Sequence, residues 1–142
     1  MKNKYKFLPH TADTMFEAYG NTLEELFENA ALATEEIMVN IKTINNNEEH
    51  HITLTADSLE NLLYDFLSEL IFIKDTDGLL FSKFEIVILH KNKKYELLAI
   101  CKGEYINREK HELISDAKAI TKHEFILEQR NKKWFTNIIV DI

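Results

Sequence analysis

The chain has 142 residues, 45% of them hydrophobic and 29% charged, which suits one globular domain spanning residues 1–142 around one core. Its formal net charge of −7 argues against bulk nucleic-acid binding, which works by neutralising phosphates with Lys and Arg; it suits a metal ion or a basic protein partner instead. With only three glycines and one proline there is little room for disordered linkers, so regular helices and strands with short connections are expected.

Residues 5–8 read as a short strand broken at Pro9, and residues 15–19 as a second, with Phe16 and Ala18 on one face and Gly20 at its end. Thr22 followed three residues later by Glu25 is a capping-box pattern, and Leu23, Leu26, Phe27, Ala30, Ala31, Ile37 and Met38 follow helical spacing. A helix is predicted over 23–39. A polar connection at 45–49 leads to an alternating strand over 51–55, with Ile52 and Leu54 inward. Asp57 with Glu60 offers a second capping pattern. Leu59, Leu62, Leu63, Phe66, Leu67, Leu70 and Ile71 then make a strongly amphipathic helix that should stop before Asp75-Thr76-Asp77-Gly78.

The remainder reads as strand. Segments 84–89 and 95–101 flank a hairpin turn at Lys91-Asn92-Lys93-Lys94. Segment 118–127 alternates over ten residues, with Ile120 and Ile126 on one face and His123, Phe125 and Leu127 on the other. It should pair with 134–140 across Arg130-Asn131-Lys132-Lys133. The aromatic residues Phe66, Phe72, Phe81 and Phe84 are assigned to the core. The expected fold is α+β, with two amphipathic helices packed on one face of a largely antiparallel β-sheet.

The single Cys101 lies in an apolar run, is expected to pack as a small apolar residue, and fits a reducing compartment. The N-terminus lacks the apolar stretch of a signal peptide and no run reaches the length of a membrane span, so a cytoplasmic protein without membrane contact is expected.

No glycine-rich phosphate loop, Cys/His zinc spacing or nucleophile elbow is present, which leaves carboxylates, histidines and lysines to carry any chemistry. The polar segment Pro9-His10-Thr11-Ala12-Asp13 lies between two strands, where loop residues often carry function. At the other end, Asp141 follows an apolar strand and Ile142 supplies a main-chain carboxylate one residue later. With Asp13 these form an oxygen-rich anionic set of the kind Ca²⁺ or Mg²⁺ prefers. On the residues alone the stronger reading is an Asp13 that caps its own turn and chain ends that fray.

His10-Thr11-Ala12-Asp13, then Glu17-Ala18-Tyr19-Gly20, then the run from Leu23 through Ala33 resemble the archease family. So do Leu62-Leu63-Tyr64-Asp65-Phe66-Leu67-Ser68-Glu69-Leu70-Ile71-Phe72 and Asp75-Thr76-Asp77-Gly78-Leu79-Leu80-Phe81. Further matches are His111-Glu112-Leu113, Lys118-Ala119-Ile120-Thr121-Lys122-His123-Glu124 and the closing Val140-Asp141-Ile142. The blocks stand in family order over nearly the whole chain. Lys102 and Lys122 stand where many members carry an aromatic, and Asn107 where Pro is frequent, which touches local loop detail only.

The resemblance implies a protein that is not itself an enzyme. It would activate the tRNA-splicing RNA ligase that joins 2′,3′-cyclic-phosphate or 3′-phosphate ends to 5′-hydroxyl ends, by promoting guanylylation of that ligase's active-site histidine and repeated turnover. RNA would be met only indirectly, through the ligase. The resemblance also implies a divalent metal ion (Ca²⁺, Mg²⁺ or Mn²⁺) held by Asp13, Asp141 and Ile142. The ion would either sit at the mouth of the ligase site, the favoured reading, or only tie the chain ends together. Lys118 could approach the metal rim or the partner, or be a solvated strand-end lysine. His123 could serve the partner or be a satisfied core histidine, and His10 could orient Asp13 or belong to the turn. Glu104 and His111 match the family blocks without an assigned role. The competing readings are a chaperone or modulator of a tRNA methyltransferase, a metal-dependent hydrolase, and a structural subunit without metal.

Overall fold

The computed structural model describes residues 4–8 and 13–142; the expectation for His10 falls outside them. Strands β1 (Tyr5–Leu8) and β2 (Thr14–Gly20) form an antiparallel pair, and the alternation of β2 buries Phe16 and Ala18 as the sequence predicts. Helix α1 (Leu23–Met38) begins at Thr22, whose hydroxyl accepts the Glu25 amide at 3.1 Å, while the Glu25 carboxylate reaches back to the Asn21 amide at 2.8 Å. Such a cap stabilises the helix start by about 1 kcal/mol.

A 3₁₀ turn (Ile41–Thr43) leads into β3 (Glu48–Ala56), longer at both ends than the five residues whose alternation is visible. Helix α2 (Leu59–Asp77) is capped by the Ser58 hydroxyl on the Asn61 amide at 3.1 Å, one residue later than the expected Asp57 cap. It also runs straight through Asp75-Thr76-Asp77 and stops at Gly78, in the left-handed region at φ 66°. The polar tripeptide is a solvated last turn, and glycine rather than polarity ends the helix.

Strands β4 (Leu79–Lys91) and β5 (Lys94–Tyr105) make a long hairpin, and β3 pairs with the far side of β5. The segment read as one strand over 118–127 is broken. It gives β6 (Ala119–Ile120) and β7 (Ile126–Arg130), joined by a turn in which Glu124 has φ 53° and Phe125 donates to the Lys122 carbonyl at 3.3 Å. Both pieces pair with the same side of β8 (Lys133–Asp141), so the pattern of an edge strand is kept while the ladder is interrupted. The Asn137 side chain holds the turn by donating to the Glu124 carbonyl at 3.0 Å.

The α+β architecture holds, with the strands divided between two antiparallel sheets instead of one. The first has the order β1-β2-β8-β6, with β7 also on β8, and the second β3-β5-β4. Each helix touches both sheets: α1 packs on β2 and along β4, and α2 on the three-stranded sheet and on β6 and β7. Four rings connect the layers, Phe27 on Phe66 at 6.3 Å, Phe66 on Phe84 at 6.2 Å and Phe84 on Phe81 at 5.9 Å. Burying each such ring stabilises the fold by about 2 kcal/mol. Phe72 is not part of this core. It is 58% exposed, because it lies off the α2 stripe formed by Leu62, Leu63, Phe66, Leu67 and Leu70.

The free edge of β4 is shielded by carboxylates of α1. Glu24 accepts from the Ile88 amide at 3.4 Å, Glu28 from that of Ile86, and Glu35 from that of Phe81 at 3.2 Å. An unpaired strand edge invites association with other chains, and these acceptors close it. Between Phe81 and Lys83 the register with β5 shifts by a bulge, opposite Gly103. A Cβ on Gly103 would lie 1.8 Å from the Leu80 carbonyl oxygen. Gly103→Ala is therefore expected to destabilise the fold by about 3 kcal/mol, read as a fall in the urea midpoint, because main chain cannot rotate away as a side chain can.

Candidate functional site

Strands β2 and β8 pair antiparallel up to Thr14 opposite Val140. One step beyond that pair stand Asp13 and Asp141, and Asp141 is in turn opposite Ala119 of β6. The sequence-distant ends thus meet at one pole of the molecule. Opposed residues on neighbouring antiparallel strands share a face, with Cβ atoms about 5 Å apart. Both Asp residues are half-buried, and neither carboxylate has a hydrogen-bond or ion-pair partner among the described residues. Two like charges at such spacing repel unless a cation or a proton is shared. Ile142 follows directly and is exposed.

The donor set is made of hard oxygens, which fits a Ca²⁺-, Mg²⁺- or Mn²⁺-type ion and does not suit a soft metal. Among the described residues no three His, Cys, Asp or Glu side chains gather around one point. The protein's own donors there would be two carboxylates and a main-chain or terminal oxygen of Ile142, with further positions left to water or a partner.

Lys118 is exposed beside this pair, its amide donating to the Asp141 carbonyl at 2.7 Å. His123 is not a core histidine. Its side chain is 76% exposed in the β6–β7 turn, with Glu124 at 3.4 Å. By then the chain has run along β8 from Asp141 toward Asn137, so the register does not bring His123 beside Asp141.

The segment that delivers Lys118 is fastened at many points. Glu104 accepts from the Asn45 amide at 2.9 Å, from Lys110 at 2.6 Å and from His111 Nε2 at 2.8 Å, with Asn47 on its other oxygen at 2.9 Å. These donors, the Asn45 amide foremost, hold the Glu104 carboxyl down to about 2. The Asn107 amide donates to His111 Nδ1 at 3.0 Å, which assigns the proton to Nε2. Glu104 and His111 are thus a strut for the segment after β5. Beyond it the Ser115 hydroxyl donates to the Ile37 carbonyl at 2.8 Å and Lys74 pairs with Asp116 at 3.1 Å.

The residue that sequence reasoning missed is Glu35. It is fully buried, its Oε1 takes the Phe81 amide, and its Oε2 has no partner. Burial pushes its carboxyl up to about 8, against the Phe81 amide and Lys74, which both draw it down. Cys101 is buried as expected, and burial together with Glu35 pushes its thiol up to about 12.

The model of the Archease protein family (MTH1598/TM1083) matches residues 5–142. The chain belongs to the archease family. Archease from Methanosarcina mazei is 37% identical over 140 residues, covering 98% of this chain and 96% of that protein. Archease from Pyrococcus furiosus is 39% identical, covering 98% and 99%. The solution structure of Methanobacterium thermoautotrophicum protein 1598 superposes with a TM-score of 0.88 at 38% identity, over 98% of this chain and 99% of that one. The crystal structure of a Thermotoga maritima archease, described as a possible chaperone, gives a TM-score of 0.63 at 23% identity over 96% of each chain, a likeness of fold alone. Archease folds thus share the two-helix, antiparallel-sheet architecture seen here.

Proposed function

We propose that this archease acts in the cytosol as a non-catalytic activator of the tRNA-splicing RNA ligase, promoting guanylylation of the ligase and its repeated turnover. The observation that supports the reading is the half-buried, unpartnered carboxylate pair Asp13 and Asp141 on adjoining strand ends. In this reading Asp13, Asp141 and an oxygen of Ile142 hold a divalent ion. When bound, such an ion neutralises phosphate charge during nucleotidyl transfer. The residues of the chain do the rest. The β2–β8 ladder fixes the two carboxylates, the Lys118 amide ties the Asp141 main chain, and the strut of Glu104 and His111 keeps the adjoining segment rigid against the partner.

An acidic protein with no phosphate loop of its own suits a ligase that handles RNA and nucleotide through its own basic groups. Among the described residues no helix is long and apolar enough to cross a membrane. The test is to mix the purified chain with the RNA ligase of the same genome, GTP and Mn²⁺, and to follow formation of guanylylated ligase. Faster guanylylation at substoichiometric archease is expected. An unchanged rate with a ligase shown to be active would overturn the proposal.

A further inference from the structure

At the pole opposite Asp13 and Asp141 the exposed hairpin tips are cationic, with Glu24, Asp57 and Glu128 standing nearby. There Gly20 faces Trp134 at the start of β8, Ala56 faces Tyr95 at the start of β5, and α1 begins with Glu24 beside Ile88. Both long hairpins therefore turn at this end. Their tips read alike, as Lys91-Asn92-Lys93-Lys94 and Arg130-Asn131-Lys132-Lys133, and all eight residues are exposed. Six of the chain's 17 Lys and Arg residues stand on these two tips.

Each turn has two central residues at positive φ, 51° and 65° for Asn92 and Lys93, 51° and 67° for Asn131 and Lys132. That is the two-residue hairpin turn in which Asn-Gly is the favoured pair. A lysine in the left-handed region costs on the order of 1 kcal/mol relative to glycine. The chain accepts this cost twice, at equivalent positions, and each time places an ammonium group at the apex. Two cations of the tips are already occupied: Lys94 pairs with Asp57 at 3.1 Å, and Arg130 pairs with Glu128 at 2.6 Å while its guanidinium lies 4.0 Å from the centre of the Phe135 ring. Lys91, Lys93 and Lys132 have no carboxylate partner among the described residues. Neither four-residue tip carries an apolar side chain, which is poor material for a membrane surface or for the aromatic centre of a protein interface.

We propose that the two hairpin tips form a phosphate-contacting surface for RNA, with Lys91, Lys93 and Lys132 as its principal cations. The net charge of −7 limits overall affinity, while the tips stand at the far end of the β2–β8 ladder from Asp13 and Asp141 and so meet a polyanion without exposing it to that carboxylate pair. The surface is independent of the ligase reading, and it is tested on this chain alone. Fluorescence anisotropy of a fluorescein-labelled RNA stem-loop, read from about 20 to about 200 mM KCl, should show binding whose log–log salt slope is about −2.7, as three phosphate contacts on a duplex require. Lys91→Gln should flatten the slope by about one unit. The double variant Lys93→Gly, Lys132→Gly is the decisive one. It suits the turns better, so it should raise the urea midpoint while lowering RNA affinity about tenfold. Either of two results would overturn the proposal: no RNA binding by the unaltered chain at the lowest salt, or glycine variants that are stabilised and bind RNA as the unaltered chain does.

Discussion

Asp13→Ala and Asp141→Ala are each expected to reduce stimulation of ligase guanylylation to background while leaving the circular dichroism spectrum and the urea midpoint unchanged. The second half of that expectation follows from the structure. Both side chains lie at the outer end of the β2–β8 ladder, past the last paired residues Thr14 and Val140, and neither takes a hydrogen bond from a described residue. Truncating them removes no hydrogen bond to a described residue. The first half follows from the proposed ion. With one carboxylate gone the remaining donors are too few to hold a hard divalent cation in competition with water. A thermal-shift measurement reads the same site without the ligase. An ion present at a hundred times its dissociation constant stabilises the folded chain by about 2.7 kcal/mol, which moves Tm by several degrees. The unaltered chain should show this shift with Ca²⁺, Mg²⁺ or Mn²⁺ and lose it with EDTA, and neither variant should show it. Asp65→Ala, on the exposed side of α2, is the control that keeps both responses. Extending the chain past Ile142 asks about the third donor, since a peptide oxygen then stands where a carboxylate is proposed, and a weaker shift is expected. Variants that retain full stimulation and a full metal shift would refute the assignment of Asp13 and Asp141.

The parts of the fold that were legible in the sequence are those in which a local rule and the tertiary structure agree. The Thr22 cap, the buried face of β2 with Phe16 and Ala18, and both hairpin turns belong here, because capping atoms, period-two alternation and turn residues act within a few positions. The failures are equally specific. Segment 118–127 kept the alternation of one strand, yet the chain leaves the ladder between Ile120 and Ile126, and what holds it out is an Asn137 bond from a strand that follows it in sequence. Phe72, an aromatic residue expected in the core, is placed in solvent by its angle around α2. The division into two sheets depends on which edges the helices cover, and no periodicity records that. At the candidate site, the residue types were readable and their juxtaposition was not, because the meeting of Asp13 with Asp141 is a consequence of β2 pairing with β8 across most of the chain. Glu35 did leave a trace. It sits among Ala31, Ile37 and Met38 on the apolar face of α1, and a carboxylate on such a face is a buried acid in waiting.

Glu35→Gln is expected to stabilise the fold by about 3 kcal/mol near pH 7 and to remove most of the fall in stability between about pH 4.5 and pH 8. The folded-state carboxyl is raised from its ordinary 4.5 to about 8, burial being the largest cause. Below 4.5 the group is protonated in both the folded and the unfolded chain and costs nothing. As pH rises through the window the unfolded chain ionises first, and stability drops by about 1.4 kcal/mol per unit until the folded carboxyl also ionises. Above 8 the loss is complete and the profile is level. Glutamine keeps an oxygen for the Phe81 amide at the bulge of β4, so that bond is retained while the titration disappears. Urea unfolding of both proteins across this range isolates the effect, because the histidines and the exposed carboxylates contribute equally to each and cancel in the difference. Glu35→Leu separates charge from hydrogen bonding: it too should lose the pH dependence, but it leaves the Phe81 amide buried without an acceptor and should be less stable than the glutamine variant at every pH. Parallel profiles for the unaltered chain and Glu35→Gln would mean that Glu35 is ionised inside the fold, with Lys74 rather than a proton balancing its charge.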